Sequence, residues 1–517
     1  MNEVLARQAE PAPLAGLPNR ISDVVTRMAE ERPTGLALTE PGRAWTFGDL
    51  ARIVGDTAQA LGRLGVRPGD RILIVSENSL ALAALLFAAS KLDAWAVVAS
   101  PRLSGREVDQ IGTHSGARRA FYVIGIGQQA AEHARRNGAV VEALPGLGQV
   151  AVGPLDAEAV PEPVHAAAEE QVAVLLYTSG TTGNPKGVML THRNLLFSAF
   201  VSGSLRSIGP ADCIYGVLPM SHIVGLTIIL VSSIMFGALV RVVPQYDPAD
   251  LAAAIAEDTT IIYGVPATYQ RLLEYKAVKG LPKLAAGKLR CMFVAGAPLD
   301  LTLKARVEEE LGQPLLNGYG ITECSPGVSS VQSAYREDDT VGTIIPGVET
   351  RVVDRSGRTV ASGEVGELHV RGPNVMRGYY RAPEATAAAI DADGWFKTGD
   401  LARFAGEDMY IVGRSKELII RSGFNVYPPE VEAVLSSHPD VVQSAVIGRA
   451  VEGNEEVVGY VQLLPGSKLS SADLLAFVRP LLTPYKRPAE IVILDVLPAS
   501  STGKILKHKL AEAARTT

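Results

Sequence analysis

One segment of the chain has the residue types and spacing of a loop that binds phosphate. Residues 177–187 have the sequence YTSGTTGNPKG. Glycines let the backbone curve so that N–H groups converge on an anion, while hydroxyls add donors and a lysine adds positive charge. The apolar run at residues 172–176 predicts a buried strand that ends at this loop. The candidate phosphate ligands are Thr178, Ser179, Gly180, Thr181, Thr182, Gly183 and Lys186.

This loop differs from the Walker A motif, G-x-x-x-x-G-K-[ST], at two positions. When the motif is aligned from Gly180, Pro185 takes the place of the second glycine. Gly187 takes the place of the Ser or Thr whose hydroxyl would bind Mg²⁺. A metal ion, if one is used, must therefore be bound elsewhere. For this segment alone, an ordinary glycine-rich turn between a strand and a helix stays open.

Four further segments follow in a fixed order: NGYGITE at 317–323, TGD at 398–400, GRSKELIIRSGFNVYPPEVE at 413–432 and PASSTGK at 498–504. Together with the first loop, they resemble the adenylate-forming superfamily of acyl-CoA synthetases, luciferases and peptide-synthetase adenylation domains. The resemblance extends from WTFGDL at 45–50 to Lys504. It implies an enzyme that uses ATP and Mg²⁺ to activate a carboxylic acid, with CoA as the acceptor.

Composition agrees with a globular enzyme of several domains. The chain has 517 residues, of which 47% are apolar and 20% charged. A net charge of -6 argues against a general nucleic-acid-binding role. Three cysteines far apart in sequence indicate neither a disulfide framework nor a zinc site, and they favour a reducing cytoplasm. The N-terminal residues lack the apolar segment of a secretory signal.

Residues 223–240 form an uncharged run of eighteen residues, which is long enough to suggest a membrane helix. Glycines and hydroxyl residues interrupt the run, and it lies within the predicted catalytic region. We therefore expect a helix buried between two sheets and no integral membrane segment. Peripheral contact with a membrane stays open for an enzyme that acts on oily acids.

Strand-like and helix-like segments alternate along most of the chain, which favours an α/β fold with mostly parallel sheets covered by helices. The predicted elements are strands at 71–75, 94–99, 120–124 and 214–218 and helices at 80–91, from 192 after Thr191, and at 251–257 after Asp250. The expected domains are an N-terminal adenylation domain at 1–413, with a β-rich subdomain at about 341–413, a hinge at 414–416 and a mobile α+β lid domain at 417–517.

A second glycine-containing segment, GIGQQA at residues 125–130, matches a dinucleotide-binding fingerprint after a strand. Such a fingerprint normally opens its domain at the first strand, whereas several strands and helices precede this one. An NAD-dependent oxidoreductase that uses Gly125 to Ala130 is therefore the alternative from another class. Within the same class, the alternative is an adenylation enzyme that loads a carrier protein.

The resemblance assigns roles in the first half-reaction. Thr322 would contact the α-phosphate, Glu323 would hold Mg²⁺, and Lys504 would bridge the carboxylate and the α-phosphate. Asp400 would accept the ribose hydroxyls, and Arg414 would reach the ribose or the phosphates. The implied adenine contacts are Gly296, Ala297, Asn317, Gly318, Tyr319 and Gly320.

The resemblance also assigns the acyl and CoA regions. The implied acyl-pocket residues are His222, Val224, Gly320, Ile321, Pro326 and Val328. Since residues 213–240 contain no lysine or arginine, that wall offers no partner for a second carboxylate. An apolar monocarboxylate is expected, either aromatic or a medium- or long-chain fatty acid. Ser422 and Gly423 would line the CoA tunnel, and Lys416 would be the hinge pivot.

Lys504 also lies in a pattern that resembles the site acetylated in regulated acyl-CoA synthetases, with Pro498, four intervening residues, Gly503 and then the lysine. Acetylation would remove its charge. A lysine acetyltransferase is therefore an expected partner.

Lys504→Ala should abolish acyl-adenylate formation but leave thioester formation from a supplied acyl-adenylate largely intact, because only the first step needs the cation beside the α-phosphate. A rapid-quench assay of each half-reaction measures this difference. Equal loss of both half-reactions would contradict the assignment.

Overall fold

The computed structural model describes residues 7–8, 16–178, 186–332, 335–422, 424–451, 454–499 and 505–515. Some residues with sequence-assigned roles lie outside the described residues, namely Ser179, Gly180, Thr181, Thr182, Gly183, Gly423 and Lys504.

The α-helices are α1 (Ile21–Glu31), α2 (Phe47–Arg63), α3 (Leu80–Lys91), α4 (Gly105–Ser115), α5 (Gln128–Arg136), α6 (His192–Leu205), α7 (Ser232–Met235), α8 (Pro248–Glu257), α9 (Pro266–Val278), α10 (Leu301–Leu311), α11 (Pro383–Ala389), α12 (Pro428–Ser436), α13 (Ser471–Val478) and α14 (Lys507–Arg515). A π-helical segment, Val224–Val231, precedes α7, and short 3₁₀ turns occupy Thr322–Cys324 and Pro484–Lys486.

The first strands are β1 (Arg7–Gln8), β2 (Leu36–Glu40), β3 (Arg43–Thr46), β4 (Arg71–Val75), β5 (Trp95–Ala99), β6 (Ala117–Val123), β7 (Val140–Leu144), β8 (Gly148–Val152), β9 (Val172–Thr178), β10 (Lys186–Thr191), β11 (Cys213–Gly216), β12 (Leu239–Val242), β13 (Ile261–Gly264) and β14 (Cys291–Val294). The later strands are β15 (Leu315–Gly320), β16 (Gly327–Ser330), β17 (Thr343–Ile344), β18 (Glu349–Val353), β19 (Gly366–Arg371), β20 (Gly378–Tyr379), β21 (Phe396–Ala405), β22 (Asp408–Arg414), β23 (Ile419–Arg421), β24 (Phe424–Val426), β25 (Val441–Val451), β26 (Asn454–Leu463) and β27 (Glu490–Ile493).

Two large sheets form the body of the protein. The first has the strand order β20-β10-β9-β5-β4-β6-β8-β7, and its inner strands β9, β5, β4 and β6 are parallel. The second has the order β17-β16-β15-β14-β13-β11-β12-β2-β3, in which β15 through β2 are parallel. Antiparallel strands flank both parallel blocks, so the predicted mostly parallel α/β architecture is confirmed for the inner strands.

The two large sheets enclose a central layer of helices. The main buried cluster joins residues of both sheets with residues of α1, α2, α3 and α6. In α3 every residue from Leu80 to Ser90 is buried, as expected of a helix between two sheets. The outer face of the first sheet packs on α4 and α5, and that of the second packs on α8, α9 and α10. This gives five alternating layers of helix and sheet.

Two smaller units follow the large sheets. The antiparallel sheet β1-β18-β19-β21-β22 contributes Leu368, Val370 and Phe404 to the main core. The sheet β25-β26-β27 packs with α12 and α13 in a separate core. Strands β17 to β22 lie within residues 343–414, and α12 to α14 with β23 to β27 lie within residues 419–515, while the predicted domain bounds stay a prediction.

The structure corrects two sequence expectations, the start of α8 and the helix at 223–240, and it excludes the strand-to-helix turn that the sequence left open as an alternative. The phosphate loop leads from β9 into the antiparallel strand β10, so the segment joins two strands and is not a strand-to-helix turn. Helix α8 starts at Pro248, because Asp247 caps it, while Asp250 accepts a hydrogen bond from the Tyr215 hydroxyl at 2.8 Å. The uncharged run 223–240 is not one helix. It contains the π-helical segment, α7 and the start of β12.

Within the part of the chain that the structure describes, no helix is both long enough and apolar enough to span a bilayer. The cysteines Cys213, Cys291 and Cys324 are buried free thiols.

Thr191→Ala should lower the free energy of unfolding by about 1–2 kcal/mol, the usual cost of losing an N-cap. The Thr191 hydroxyl accepts from the Asn194 N–H at 3.2 Å, and the Asn194 side chain accepts from the Thr191 N–H at 2.8 Å. Urea unfolding followed by circular dichroism measures the loss. Thr191→Ser keeps the cap and is the matched control, and equal midpoints for the two variants would contradict the prediction.

Candidate active site

Lys186 is the first described residue after Thr178 in the segment predicted to bind phosphate. It is the first residue of β10 and pairs with Thr178, the last residue of β9. Its ammonium lies 4.8 Å from the centroid of the Tyr379 ring. Tyr379 belongs to β20, which pairs with the other edge of β10. The ring face attracts the cation and holds the lysine beside the loop.

Glu323 contacts Tyr379 from the second large sheet. It lies in the 3₁₀ turn Thr322–Cys324, directly after β15. The Tyr379 hydroxyl donates to Glu323 Oε1 at 3.0 Å. Burial, together with the charge of Glu323, raises the pKa of Tyr379 well above its usual value, so the phenol stays a donor at neutral pH. Lys186 and Glu323, 137 positions apart in the sequence, therefore share one aromatic side chain.

The Glu323 carboxylate fits a magnesium ion that is bound mainly by substrate phosphates. Among the described residues only Tyr379 donates to this carboxylate, so Oε2 keeps its lone pairs for a cation. The described residues contain no cluster of three or more His, Cys, Asp or Glu side chains that could hold a metal ion. Mg²⁺ commonly takes one or two protein carboxylates and completes its shell with phosphates and water.

Asp400 is the centre of a second polar group. It is 3% exposed and lies opposite Arg414 on the paired strands β21 and β22. The Arg414 Nε atom lies 2.9 Å from Asp400 Oδ1, and the Tyr319 hydroxyl donates to Asp400 Oδ2. The Thr398 hydroxyl accepts the Asp400 N–H at 3.0 Å. The carboxylate is thus held by side chains from β22 and β15, while the Thr398 bond fixes the backbone of its own strand, β21.

The predicted adenine contacts lie where parallel strands end at one sheet edge. Val294 of β14 is the register partner of Asn317 of β15, so Gly296 and Ala297 lie beside the end of β15. The Asn317 side chain donates to the Thr340 carbonyl at 3.0 Å and accepts from the Gly318 N–H at 3.0 Å. Its amide is therefore engaged by the chain itself, which fixes the bend into the glycine-rich strand end.

Glycine is required at position 320 because the chain folds back on itself. A Cβ atom there would lie 2.2 Å from the Pro326 carbonyl oxygen, which already accepts from the Ile321 N–H at 3.0 Å. This close approach aims the turn with Thr322 and Glu323 toward Tyr379.

The predicted acyl-pocket residues lie around the same edge. Val224 and Ile321 are half-buried apolar residues that pack against the main core, while Val328 is fully buried in it. His222 is half-buried, and its Nδ1 atom accepts from the Val224 N–H at 3.4 Å. The structure thus brings His222 and Val224 together and places Ile321 and Val328 on the neighbouring turn and strand.

Two residues that support this arrangement were missed by sequence reasoning. Tyr379 joins Lys186 to Glu323, and its only sequence signal is the aromatic pair after Gly378. Asn78 is 4% exposed and fastens the segment before His222. Its amide donates to the carbonyls of Gly216 and Leu218 at 3.1 and 3.0 Å, and its oxygen accepts from the Met220 N–H at 2.7 Å. The only sequence feature that could have indicated this role of Asn78 is its position as a polar residue between a buried strand and an apolar helix.

Lys416 lies exposed in the turn that follows β22. The Ser415 N–H donates to the Gly399 carbonyl at 2.9 Å, so the start of this turn is bonded next to Asp400. Lys507, at the start of α14, lies 3.0 Å from Glu417 and 2.8 Å from Glu432. The helix that follows the Lys504 segment is therefore attached to the turn that contains Lys416.

Ser422 adopts a left-handed backbone with φ 52°. Its N–H donates to Asn454 Oδ1 at 2.7 Å, and the Asn454 amide donates to its hydroxyl at 3.2 Å. These bonds fix it on the tip of the β23–β24 hairpin. Its described hydrogen bonds join residues of the C-terminal unit. They do not reach Lys186, Glu323 or Asp400.

Comparison with known proteins places the chain in a family. Residues 25–380 match the family model of AMP-binding enzymes, and residues 430–504 match the C-terminal domain of AMP-binding enzymes. The feruloyl-CoA synthase of Amycolatopsis sp is 34% identical over 490 residues, covering 94% of this chain and 97% of that protein.

Two solved structures share the fold. ATP-bound MatB from Rhodopseudomonas palustris has a TM-score of 0.82 at 28% identity, covering 96% of this chain and 99% of that chain. O-succinylbenzoate coenzyme A synthetase from Bacillus subtilis, in complex with ATP and a magnesium ion, has a TM-score of 0.79 at 28% identity, covering 94% and 98%. The chain therefore belongs to the family of AMP-binding enzymes, in the branch of AMP-forming acid–thiol ligases.

Proposed function

We propose that the chain is an ATP-dependent carboxylic acid–CoA ligase that releases AMP. In the first step a carboxylate oxygen attacks the α-phosphorus of ATP, and the bond to pyrophosphate breaks to leave acyl-AMP. In the second step the sulfur of CoA attacks the acyl carbonyl, the bond to AMP breaks, and the thiol proton is released. The proposal rests on one observation: Lys186 and Glu323 both contact Tyr379, next to the segment predicted to bind phosphate.

The barrier to the first step is electrostatic, because an anion must attack a polyanion. Each close pair of opposite unit charges contributes roughly 4 kcal/mol at about 4 Å in an effective dielectric near 20. Lys186, aimed by the Tyr379 ring, would neutralise the leaving phosphates. A magnesium ion bound by Glu323 and the phosphates would supply further positive charge at the same place. Thr322, at the same turn, would contact the α-phosphate.

The second polar group fits a nucleoside. Asp400 would accept the ribose hydroxyls, with Tyr319 and Arg414 holding its carboxylate in position. Gly296, Ala297 and the end of β15 would border the adenine.

The two steps need different groups at one carbonyl, so a moving C-terminal unit is useful. We assign residues 1–413 to the adenylation domain, 414–416 to the hinge and 417–517 to the lid. Lys504 would act in the first step, and Ser422 with Gly423 would border the CoA path in the second. The turn at Lys416, exposed between β22 and β23, supports this division.

The proposed acid has an apolar body, and an aromatic acid is favoured over a fatty acid because a relative that covers nearly the whole chain is a feruloyl-CoA synthase. CoA is favoured over a carrier protein for the same reason. The family match favours AMP over NAD as the bound nucleotide. We also propose that the protein acts in the cytoplasm. The comparisons give no support to acetylation of Lys504.

Tyr319→Phe should lower kcat/KM for ATP about tenfold or more, since it removes a hydrogen bond to a buried carboxylate that would bind the ribose. Steady-state kinetics at saturating acid measures the change. Tyr410→Phe is the matched control, because it removes a phenol-to-aspartate bond of 2.8 Å to Asp338, outside the site. Equal effects of the two variants would contradict the role of Tyr319.

A panel of carboxylic acids should give AMP release that depends on the acid and increases strongly when CoA is added. The assay scores AMP release with and without CoA, together with ATP–pyrophosphate exchange. Strong turnover only with a phosphopantetheinylated carrier protein would favour the carrier alternative. Nicotinamide binding without any exchange would overturn the proposal.

A further inference from the structure

Arg206 is a buried cation in the interior of the large domain. It follows the last residue of α6 and is 9% exposed. Its guanidinium lies 4.1 Å from the centroid of the Phe293 ring and 5.7 Å from that of Tyr263. Among the residues that the structure describes, no carboxylate oxygen lies within ion-pair distance of it. A buried cation without a counter-ion is costly, which makes this position informative.

The donors of Arg206 are only partly used. One terminal nitrogen donates to the Ser202 carbonyl and hydroxyl at 3.2 Å each, and the other donates to the Ser330 hydroxyl at 3.1 Å. The Nε atom is buried and has no hydrogen-bond partner within the described part of the chain. A guanidinium carries five N–H donors, so capacity remains for another acceptor.

A second unsatisfied group lies beside this cation. The hydroxyl of Tyr263 is buried and, among the described residues, lacks a hydrogen-bond partner in bonding geometry, although the Ser202 side chain is close enough to lower its pKa. Burial raises the pKa of Tyr263 to about 12, so the phenol is neutral and can donate or accept. Buried polar atoms are nearly always paired in native proteins, and two unpaired ones side by side indicate a missing partner.

Arg206 and Tyr263 lie near strands that contain predicted acyl-pocket residues. Ser330, which accepts from Arg206, lies two residues after Val328 on β16, and alternate residues of a strand face the same side. Phe293 is half-buried against the main core, and a Cβ atom at Gly318 would lie 2.4 Å from its ring. Arg206 therefore lies behind the strand ends that carry the predicted acyl-pocket residues.

We propose that Arg206, assisted by the Tyr263 hydroxyl, selects carboxylic acids that carry an oxygen acceptor at the end remote from the reacting carboxylate. This inference rests on the proposed acid-activating function and narrows its substrate class. The wall at residues 213–240 contains no cation, whereas Arg206, which follows α6, supplies one beside Phe293 of β14 and Ser330 of β16. The acceptor is a phenolic hydroxyl or a second carboxylate.

The test compares ATP–pyrophosphate exchange with cinnamate, 4-methylcinnamate, 4-hydroxycinnamate and 4-carboxycinnamate. The wild-type protein should prefer the acids with a distal oxygen by about 10- to 100-fold in kcat/KM, the range expected for one hydrogen bond to a charged group. Arg206→Met should remove the preference, and Arg206→Lys should retain part of it. The hydroxyl and carboxyl acids distinguish a neutral acceptor from an anionic one.

Arg403→Met is the matched control, since Arg403 stacks on Tyr410 at 4.2 Å in the β-rich sheet, and it should leave the preference unchanged. Thermal unfolding reports whether Arg206→Met is folded. If it is not, Tyr263→Phe and Ser330→Ala replace it, and each should reduce the preference severalfold. An unchanged preference in both of these variants would overturn the inference.

Two results separate this inference from the proposed function. If Arg206→Met lowers exchange equally for all four acids, or if the wild type shows no preference, the inference is overturned and the proposed function stands. If no acid supports exchange, the proposed function fails, and calorimetric binding of the same acids decides the role of Arg206. Stronger binding of the oxygen-bearing acids by the wild type than by Arg206→Met would support it, and equal binding would refute it.

Discussion

The candidate active site depends on the contact between the two large sheets at Tyr379. Its strand, β20, belongs to the first sheet, while its hydroxyl bonds Glu323 at the end of β15 in the second sheet. The segment before it strengthens the junction, because the Met376 N–H donates to the Glu323 carbonyl at 2.8 Å. The Asn374 amide likewise donates to the Gly327 carbonyl at 2.7 Å. This junction brings the ammonium of Lys186 from the first sheet and the carboxylate of Glu323 from the second to one aromatic side chain.

Much of the fold could be predicted from local patterns. Residues 71–75 and 80–90 are all buried, so their apolar composition indicates them clearly, and the structure confirms the predicted bounds 71–75 and 80–91. The cap at Thr191 was also evident, since a hydroxyl residue precedes a helix and Asn194 completes the reciprocal pair. The predicted start of α8 at residue 251 was wrong, because Pro248 begins the first turn after the cap at Asp247, whereas the predicted end at Glu257 is confirmed.

Contacts between distant segments could not be predicted in the same way. Motifs marked Lys186 and Glu323, but nothing in either motif names Tyr379 as the residue between them. The same holds for Asn78, whose four hydrogen-bond partners, Gly216, Leu218, Met220 and Val243, lie far along the chain. The uncharged run at 223–240 misled for a different reason. Most of this run is buried, so its residues are apolar in the helical part and in the strand alike. Composition therefore could not show where the helix ended and β12 began.

The ion pair between Asp400 and Arg414 has a consequence for the chain that follows it. Arg414 is the final residue of β22, and the turn with Lys416 begins immediately after it. In the proposed enzyme, any rotation of the C-terminal lid would start from a strand end that is already ion-paired with Asp400, the carboxylate proposed to bind the nucleoside. Ligand occupancy and lobe orientation would then be thermodynamically linked, so that whatever biases one equilibrium must bias the other by the same free energy.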